Sequence, residues 1–317
     1  MSQKHTAEET VVRCVCCHSQ KYQVLYEDNH QTGVPSSALA AYSISSRQFG
    51  RHGRLVRCQK CGLVYMNPRP TQQALLDSYG AMVDEYYLVE ESARLATLEH
   101  TLRTIEPLAK GRLLEVGCAT GYFLKIAREH GWEVLGVEPC RWAADLASQR
   151  FGLPVLPGTL ESAALPDNHF DVVAMLDLIE HLHDPLTTLA RAHHVLRDGG
   201  LLVMSTPNVG SLLAGLLRGR WWCIMDEHLN YFSPKTMGLI LQKTGFSLLK
   251  VQSYPRSFSL GYWTDRIYRW NRPLGGVLSG VVGAFNLQQR SLWLDLHDQM
   301  MVIVRKDTPS ETTPERA

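Results

Sequence analysis

The chain has 317 residues, 45% of them hydrophobic and 20% charged, with 32 basic side chains against 31 acidic ones. That is apolar material for one large α/β domain plus a small module, and a formal net charge of +1 gives no footprint of a protein that grips phosphate backbones broadly. Met1 to Thr10 is polar without an apolar h-region, and Gly275 to Phe285 is too short and glycine-rich for a membrane span. The sequence therefore predicts no secretory signal, no membrane span and a cytoplasmic location, where the eight cysteines read as thiols or metal ligands before disulfides.

Cys14-Val-Cys-Cys17 and Cys58-Gln-Lys-Cys61 each hold a C-x-x-C knuckle. Each knuckle sets two thiolates on one side of a tight turn, and two such turns close a tetrahedral zinc site. A short module with little core needs such a staple, so structural zinc on Cys14, Cys17, Cys58 and Cys61 is expected, with redox pairs or unrelated thiols as the alternatives. Cys16 leaves the register open. The strand-like Gly62 to Tyr65 fits a zinc ribbon, and the long stretch between the knuckles predicts an inserted element around Thr32 to Ser46. This N-terminal zinc-ribbon module takes residues 1–70. Residues 71–109 read as a helical connector, with Thr71 as N-cap after Pro70. Its Tyr79, Tyr86 and Tyr87 either pack the helices onto the domain or reach over a ligand site.

Arg112-Leu-Leu-Glu-Val-Gly-Cys-Ala-Thr-Gly-Tyr-Phe-Leu124 reads as a strand, a tight turn and a helix, the first βα unit of a nucleotide-binding sheet. Glycine suits a turn of unusual φ that admits a ligand, and the N–H groups opening the next helix offer it donors. The second apolar run ends in Glu138, where a doubly wound fold hydrogen-bonds ribose hydroxyls. The Glu115-x-Gly117-x-x-x-Gly121 pattern has one close-approach glycine fewer than a dinucleotide site and a carboxylate in front. It suits a ligand with a ribose and a cationic end but no phosphate. Strands are predicted at about 112–116, 133–137, 153–156, 170–175, 200–205, 246–252 and 299–305, and a helix from Asp184 (N-cap) and Pro185 (N1) to Gly199 at C′. Ser211 to Met225, with Trp221 and Trp222, predicts a lid or substrate wall, with a dip into a membrane interface as the alternative. Tyr254 to Asp295 is an insertion rich in aromatics and arginine, and residues 307–317 form a polar, disordered tail.

The glycine turn and Glu138 resemble motif I and the ribose acid of the class I S-adenosylmethionine-dependent methyltransferases. Leu165-Pro-Asp-Asn-His-Phe-Asp171, Glu180-His-Leu-His-Asp-Pro185 and Gly199-Gly-Leu-Leu-Val-Met-Ser-Thr-Pro207 are similar to later segments of that family, in the same order. The two knuckles followed by Leu63-Val-Tyr-Met-Asn-Pro-Arg-Pro70 resemble the front end of a subgroup that includes sugar C-methyltransferases and relatives from polysaccharide gene clusters. The resemblance implies a Rossmann-like α/β fold, a seven-stranded methyltransferase sheet over residues 110–306 with the 254–295 insertion. It also implies methyl transfer from S-adenosyl-L-methionine to a small-molecule acceptor, most simply a nucleotide-linked sugar or a glycan or secondary-metabolite precursor, with no nucleic-acid partner. The alternatives are an RNA or protein methyltransferase that grips its substrate with the zinc module, and a cofactor-binding protein without catalysis.

On this resemblance Glu115 serves the cofactor's amino end and Glu138 its ribose, while Gly117 and Gly121 give clearance. Cys118, Ala119 and Tyr122 of the same turn and Pro139 after Glu138 complete that wall. Thr159 and Leu160 hold adenine, and Leu176 and Asp177 line the methionine side. An oxygen or carbon acceptor loses a proton, so a base is useful. Glu227 and His228 stand at the pocket mouth, His228 as the base and Glu227 fixing its tautomer or raising its pKa, with Tyr231 and His181 next in line. Neither the acceptor atom nor the oligomeric state is legible.

Overall fold

The computed structural model describes residues 9–30, 51–80, 83 and 90–308. The expected element around Thr32 to Ser46, the side chains of Tyr86 and Tyr87, and the tail beyond residue 308 lie outside these.

The N-terminal segment supplies β1 (Glu9–Thr10), β2 (Tyr22–Tyr26), β3 (Leu55–Cys58), β4 (Val64–Met66) and β5 (Arg69–Pro70). The connector follows as α1 (Gln72–Gly80) and α2 (Glu91–Ile105). Thr71 Oγ1 accepts from the Ala74 N–H at 3.3 Å, as its N-cap reading requires. Then come β6 (Arg112–Val116), α3 (Tyr122–Glu129), β7 (Glu133–Glu138), α4 (Arg141–Phe151), β8 (Val155–Pro157), β9 (Phe170–Leu176), α5 (Pro185–Val195) and β10 (Leu196–Pro207). The C-terminal part holds α6 (Leu212–Leu217), β11 (Asn230–Tyr231), α7 (Pro234–Gln242), β12 (Phe246–Ser253), β13 (Arg256–Ser259), α8 (Leu260–Trp270), α9 (Arg272–Ala284), β14 (Ser291–Leu294) and β15 (Gln299–Lys306).

Seven strands form one sheet in the order β12-β15-β10-β9-β6-β7-β8. The pairs from β10 to β8 are parallel, and β15 runs antiparallel between β10 and β12. The inner strands β6, β7, β9 and β10, covered on both faces, read as apolar runs, whereas β12 at the sheet edge is exposed over Ser247–Lys250. Alternate residues feed two cores. Leu114, Val173, Met204 and Val302 pack with Leu189 and Ala192 of α5 and Met237 and Ile240 of α7. Leu113, Val172, Val203 and Met301 pack with α2, α3 and α4 through Leu102, Phe123 and Ala147. The chain reverses direction across the sheet between β6 and β9, so the crevice at the carboxyl ends of these strands is where an open α/β sheet takes its ligand.

Asp184 caps α5, accepting from the Leu186 and Thr187 N–H groups with Pro185 at the first turn. The helix does not run to Gly199. It ends at Val195, Leu196 turns extended, and Gly199 (φ +70°) sits in a register shift between Leu196 and Leu201 of β10. The glycine signal was real, but it serves a bulged strand entry rather than a helix C-cap.

The N-terminal strands pair as a second sheet, β11-β4-β3-β2, all antiparallel. β11 comes from the far side of the chain, immediately after His228. The module also shares the main core: Cys14, Cys16, Val56, Leu63 and Tyr65 are buried in the same cluster as Phe232, Met237 and Ile240. Lys243 Nζ donates to the Cys16 carbonyl at 2.6 Å.

Candidate active site

A cavity of about 620 Å³ opens at the carboxyl ends of β6, β7 and β9 and is walled by α2, the β13–α8 segment and the stretch from Trp222 to His228. Glu115, Gly117, Cys118, Ala119, Tyr122, Glu138, Pro139, Thr159, Leu160, Leu176, Asp177, Glu227 and His228 all line it. Gly121 and Tyr231 do not.

Glu138, the last residue of β7, is 6% exposed. Its Oε2 accepts the Ala119 N–H at 2.8 Å and its Oε1 accepts the Cys140 N–H at 2.8 Å. Each oxygen keeps a second lone pair for a hydroxyl donor from the cavity. Burial pushes its pKa up to about 7, against those two N–H groups. Glu115 is also buried, and its Oε2 has no hydrogen-bond partner among the described residues. Burial, and then the charge of Glu138, raise its pKa well above the carboxylate range. A cationic group in the cavity would satisfy that oxygen and favour its ionised form.

The two turn glycines divide their tasks. A Cβ at Gly117 (φ +71°) would stand 2.9 Å from Leu178 on the cavity wall. A Cβ at Gly121 (φ +80°) would stand 2.7 Å from Leu153 and 2.8 Å from Ala147 Cβ. Gly121 thus lets α3 and α4 approach, and its expected role in ligand clearance is corrected to helix packing. Ala119 carries φ +46°, a left-handed conformation uncommon for a residue with a Cβ, which turns its N–H onto Glu138.

At the other end of the cavity Asp177 (φ +51°) accepts from Ser205 Oγ at 2.8 Å and forms an ion pair with Arg256. His181 and His228 stack edge to face, with ring centroids 4.8 Å apart. Nδ1 of His181 lies 2.8 Å from the Glu227 carbonyl, and Nδ1 of His228 lies 2.8 Å from the Cys223 carbonyl. A carbonyl only accepts, so both Nδ1 atoms carry hydrogen and both Nε2 atoms carry a lone pair. Glu227 was expected to fix the tautomer of His228 through its carboxylate. The Cys223 carbonyl does so instead, and Glu227 serves His181 through its backbone. A base titrating in the usual histidine range was also expected. Burial pushes His181 down to about 4, and burial followed by the charge of His181 holds His228 well below its usual value. Tyr231 is buried in β11, with its hydroxyl 3.2 Å from the Met225 carbonyl, and lines a separate cavity of about 220 Å³ beside Tyr26 and Leu55. Its ring meets that of His228 edge to face, with centroids 6.0 Å apart, but it does not line the histidine pair's cavity.

Several cavity residues carried no signal in the sequence. Tyr254, whose hydroxyl lies 2.8 Å from Thr101 Oγ1, and Arg256 come from the insertion. Arg266 lies over the rings of Trp222 and Tyr262 at 5.8 and 5.0 Å. Thr97 and Arg94 come from α2. For Tyr254, Arg256 and Arg266 the richness of the insertion in arginine and aromatics is the only hint, whereas Tyr79 of α1, which the sequence leaves between helix packing and reaching over a ligand site, also lines the cavity.

Away from this cavity, the Sγ atoms of Cys14, Cys17, Cys58 and Cys61 lie within 4.8 Å of one another, with Cys14–Cys61 at 3.5 Å and Cys17–Cys58 at 3.4 Å. Tetrahedral zinc with sulfur at about 2.3 Å separates its ligands by about 3.8 Å, so the cluster needs little movement to hold one. Cys16 is buried but outside this group.

Sheet order and cavity define a Rossmann-like α/β protein with its cavity at the strand ends, where open α/β sheets take ligands. The family model described as a methyltransferase domain matches residues 88–251, just over half of the chain, and the chain belongs to that family. It is 34% identical over 127 residues to a malonyl-[acyl-carrier protein] O-methyltransferase of Serratia marcescens, covering 39% of this chain and 49% of that protein. It is 28% identical over 171 residues to a ubiquinone biosynthesis O-methyltransferase of Cereibacter sphaeroides, covering 50% of this chain and 68% of that one. The match thus spans about half the length of the Serratia relative. Among solved structures, a SAM-dependent methyltransferase from Archaeoglobus fulgidus superposes with a TM-score of 0.48 at 23% identity, covering 70% of this chain and all of that one.

Glu180, 2% exposed, shares the cavity floor, and burial pushes its pKa up to about 8. A carboxyl raised on folding contributes stability that is full below its unfolded value near 4.3 and is lost as pH rises through its folded value. Between pH 6.5 and 8, with no divalent cation beyond the one equivalent the thiolates hold, Glu180→Gln should therefore gain on the wild type in urea unfolding by about 1.5 kcal/mol. A gap that stays constant over that window would show that Glu180 is ionised in the folded chain.

Proposed function

We propose that the chain binds S-adenosyl-L-methionine in this cavity and transfers its methyl group to a small-molecule acceptor. The observation that carries the reading is the pair of buried carboxylates at adjacent strand ends. Glu138 is oriented by two backbone N–H groups and keeps lone pairs for the ribose hydroxyls. Glu115 has an orphaned oxygen for the cationic end. When bound, S-adenosylmethionine supplies a methyl group already activated by the sulfonium. The chain's own residues align the acceptor and exclude water. Thr159 and Leu160 flank the adenine, and Leu176 and Asp177 flank the methionine portion. His181 and His228 turn Nε2 lone pairs to the acceptor end, where they hold its proton-bearing group.

The finer reading of the acceptor is a ring-bearing small molecule, of which a nucleotide-linked sugar is an example. The aromatic wall of Trp222 and Tyr262, with Arg266 over both rings, supports it. In the same proposal Cys14, Cys17, Cys58 and Cys61 hold one structural zinc, supported by their paired spacing and sulfur geometry. Metal analysis of chain purified under reducing conditions should find one zinc per chain. Finding none would remove zinc from the account.

Calorimetry tests the cofactor reading. Wild type should bind S-adenosylmethionine, and Glu138→Ala should lose binding or weaken it at least tenfold, because a hydrogen-bonded charged group is worth about 1.5–3 kcal/mol. His228→Ala should bind it nearly as wild type does while transferring labelled methyl groups more slowly. Equal affinity in wild type and Glu138→Ala would overturn the ribose assignment.

A further inference from the structure

We propose that Glu180, His181 and His228 form a binding site for a first-row divalent cation at the acceptor end of the cavity. One ligand atom from each of the three lies within 4.8 Å of the other two. The carbonyls of Glu227 and Cys223 take the Nδ1–H groups at 2.8 Å each, which commits both Nε2 atoms as lone-pair donors. Metal-binding histidines are oriented in this way, with the second nitrogen donating to a backbone carbonyl. Glu180 is 2% exposed, and although the Thr206 hydroxyl lies close enough to favour its ionised form, its Oε2 has no partner in hydrogen-bond geometry among the described residues. A buried carboxylate oxygen left so is costly, and a cation would satisfy it together with both imidazoles.

Two imidazoles and one carboxylate suit zinc or iron(II), and three protein ligands leave coordination positions open to the cavity. An acceptor oxygen fits such a position. The proposal rests on the reading of this cavity as a methyl-acceptor site and deepens it, because the two Nε2 lone pairs then reach the acceptor through the cation. It is separate from the thiol cluster, whose soft sulfur ligands differ in kind.

Cobalt(II) distinguishes the two sites in the full-length chain. Titrated into chain carrying a single equivalent of Zn2+, which the four thiolates take first, Co2+ should add one equivalent that gives d–d absorption without sulfur-to-metal charge transfer. Glu180→Gln and His228→Asn should each weaken that equivalent at least tenfold, with zinc content unchanged. Binding of S-adenosylmethionine, followed by calorimetry on the same variants, should persist and shows that they are folded. If folded wild type takes up no Co2+ beyond a thiolate spectrum, or if both variants bind it as wild type does, the cation site is overturned while the methyltransferase reading stands. If wild type binds Co2+ as described but not S-adenosylmethionine, the cation site stands and the methyltransferase reading fails.

Discussion

Asn230 and Tyr231 hold the acceptor end of the cavity to the N-terminal module. Their backbones pair with Tyr65 and Val64 of β4, and the Met66 N–H continues the ladder onto the Leu229 carbonyl at 2.9 Å. The Leu229 N–H in turn donates to the Glu180 carbonyl at 2.8 Å. The segments carrying His228 and Glu180-His181 are thus fixed in one hydrogen-bond series that begins in the knuckle sheet. Arg69 closes it from below. Its guanidinium, 2% exposed, donates to Asn230 Oδ1 at 3.3 Å and to the His183 carbonyl at 2.8 Å. Asn230 Nδ2 donates to the Leu182 carbonyl at 2.7 Å.

Burying a guanidinium is expensive unless it is hydrogen-bonded. Burial lowers its pKa only to about 10, so Arg69 stays charged at neutral pH. Such a group is weak evidence for stability, since an apolar residue often does as well. Here it meets two segments at once, and that gives it a positioning role. The module has little apolar material of its own and borrows the core of the sheet. We propose that the thiol cluster keeps β3 and β4 in register and, through β11, keeps the histidine pair in place.

The middle of the main sheet is legible in the sequence because β6, β7, β9 and β10 are buried on both faces and read as apolar runs. Glu138 and Glu115 were legible because a carboxylate at a strand end has no packing reason to be there. Other features depend on pairings remote in the chain. The Cys223 carbonyl decides the tautomer of His228, the Leu153 and Ala147 side chains decide the role of Gly121, and the pairing of β11 with β4 seats Tyr231 beside Tyr26 and Leu55. None of these is written in local spacing. Arg256 and Tyr254 lie on an insertion whose composition hinted at specificity without saying which side chains reach the cavity. The end of α5 was misplaced because a glycine at φ +70° serves a bulge as well as a C-cap.

The claim on which the rest depends is that the knuckle module and the acceptor end of the cavity form one cooperative unit. Hydrogen exchange compared between wild type and Cys61→Ser, with no chelator added, tests it most directly. On this account, losing the thiolate site raises exchange in peptides covering residues 52–66, 179–184 and 224–233 together, while residues 112–138 stay protected. Increased exchange confined to the knuckles, with 224–233 unchanged, would contradict it.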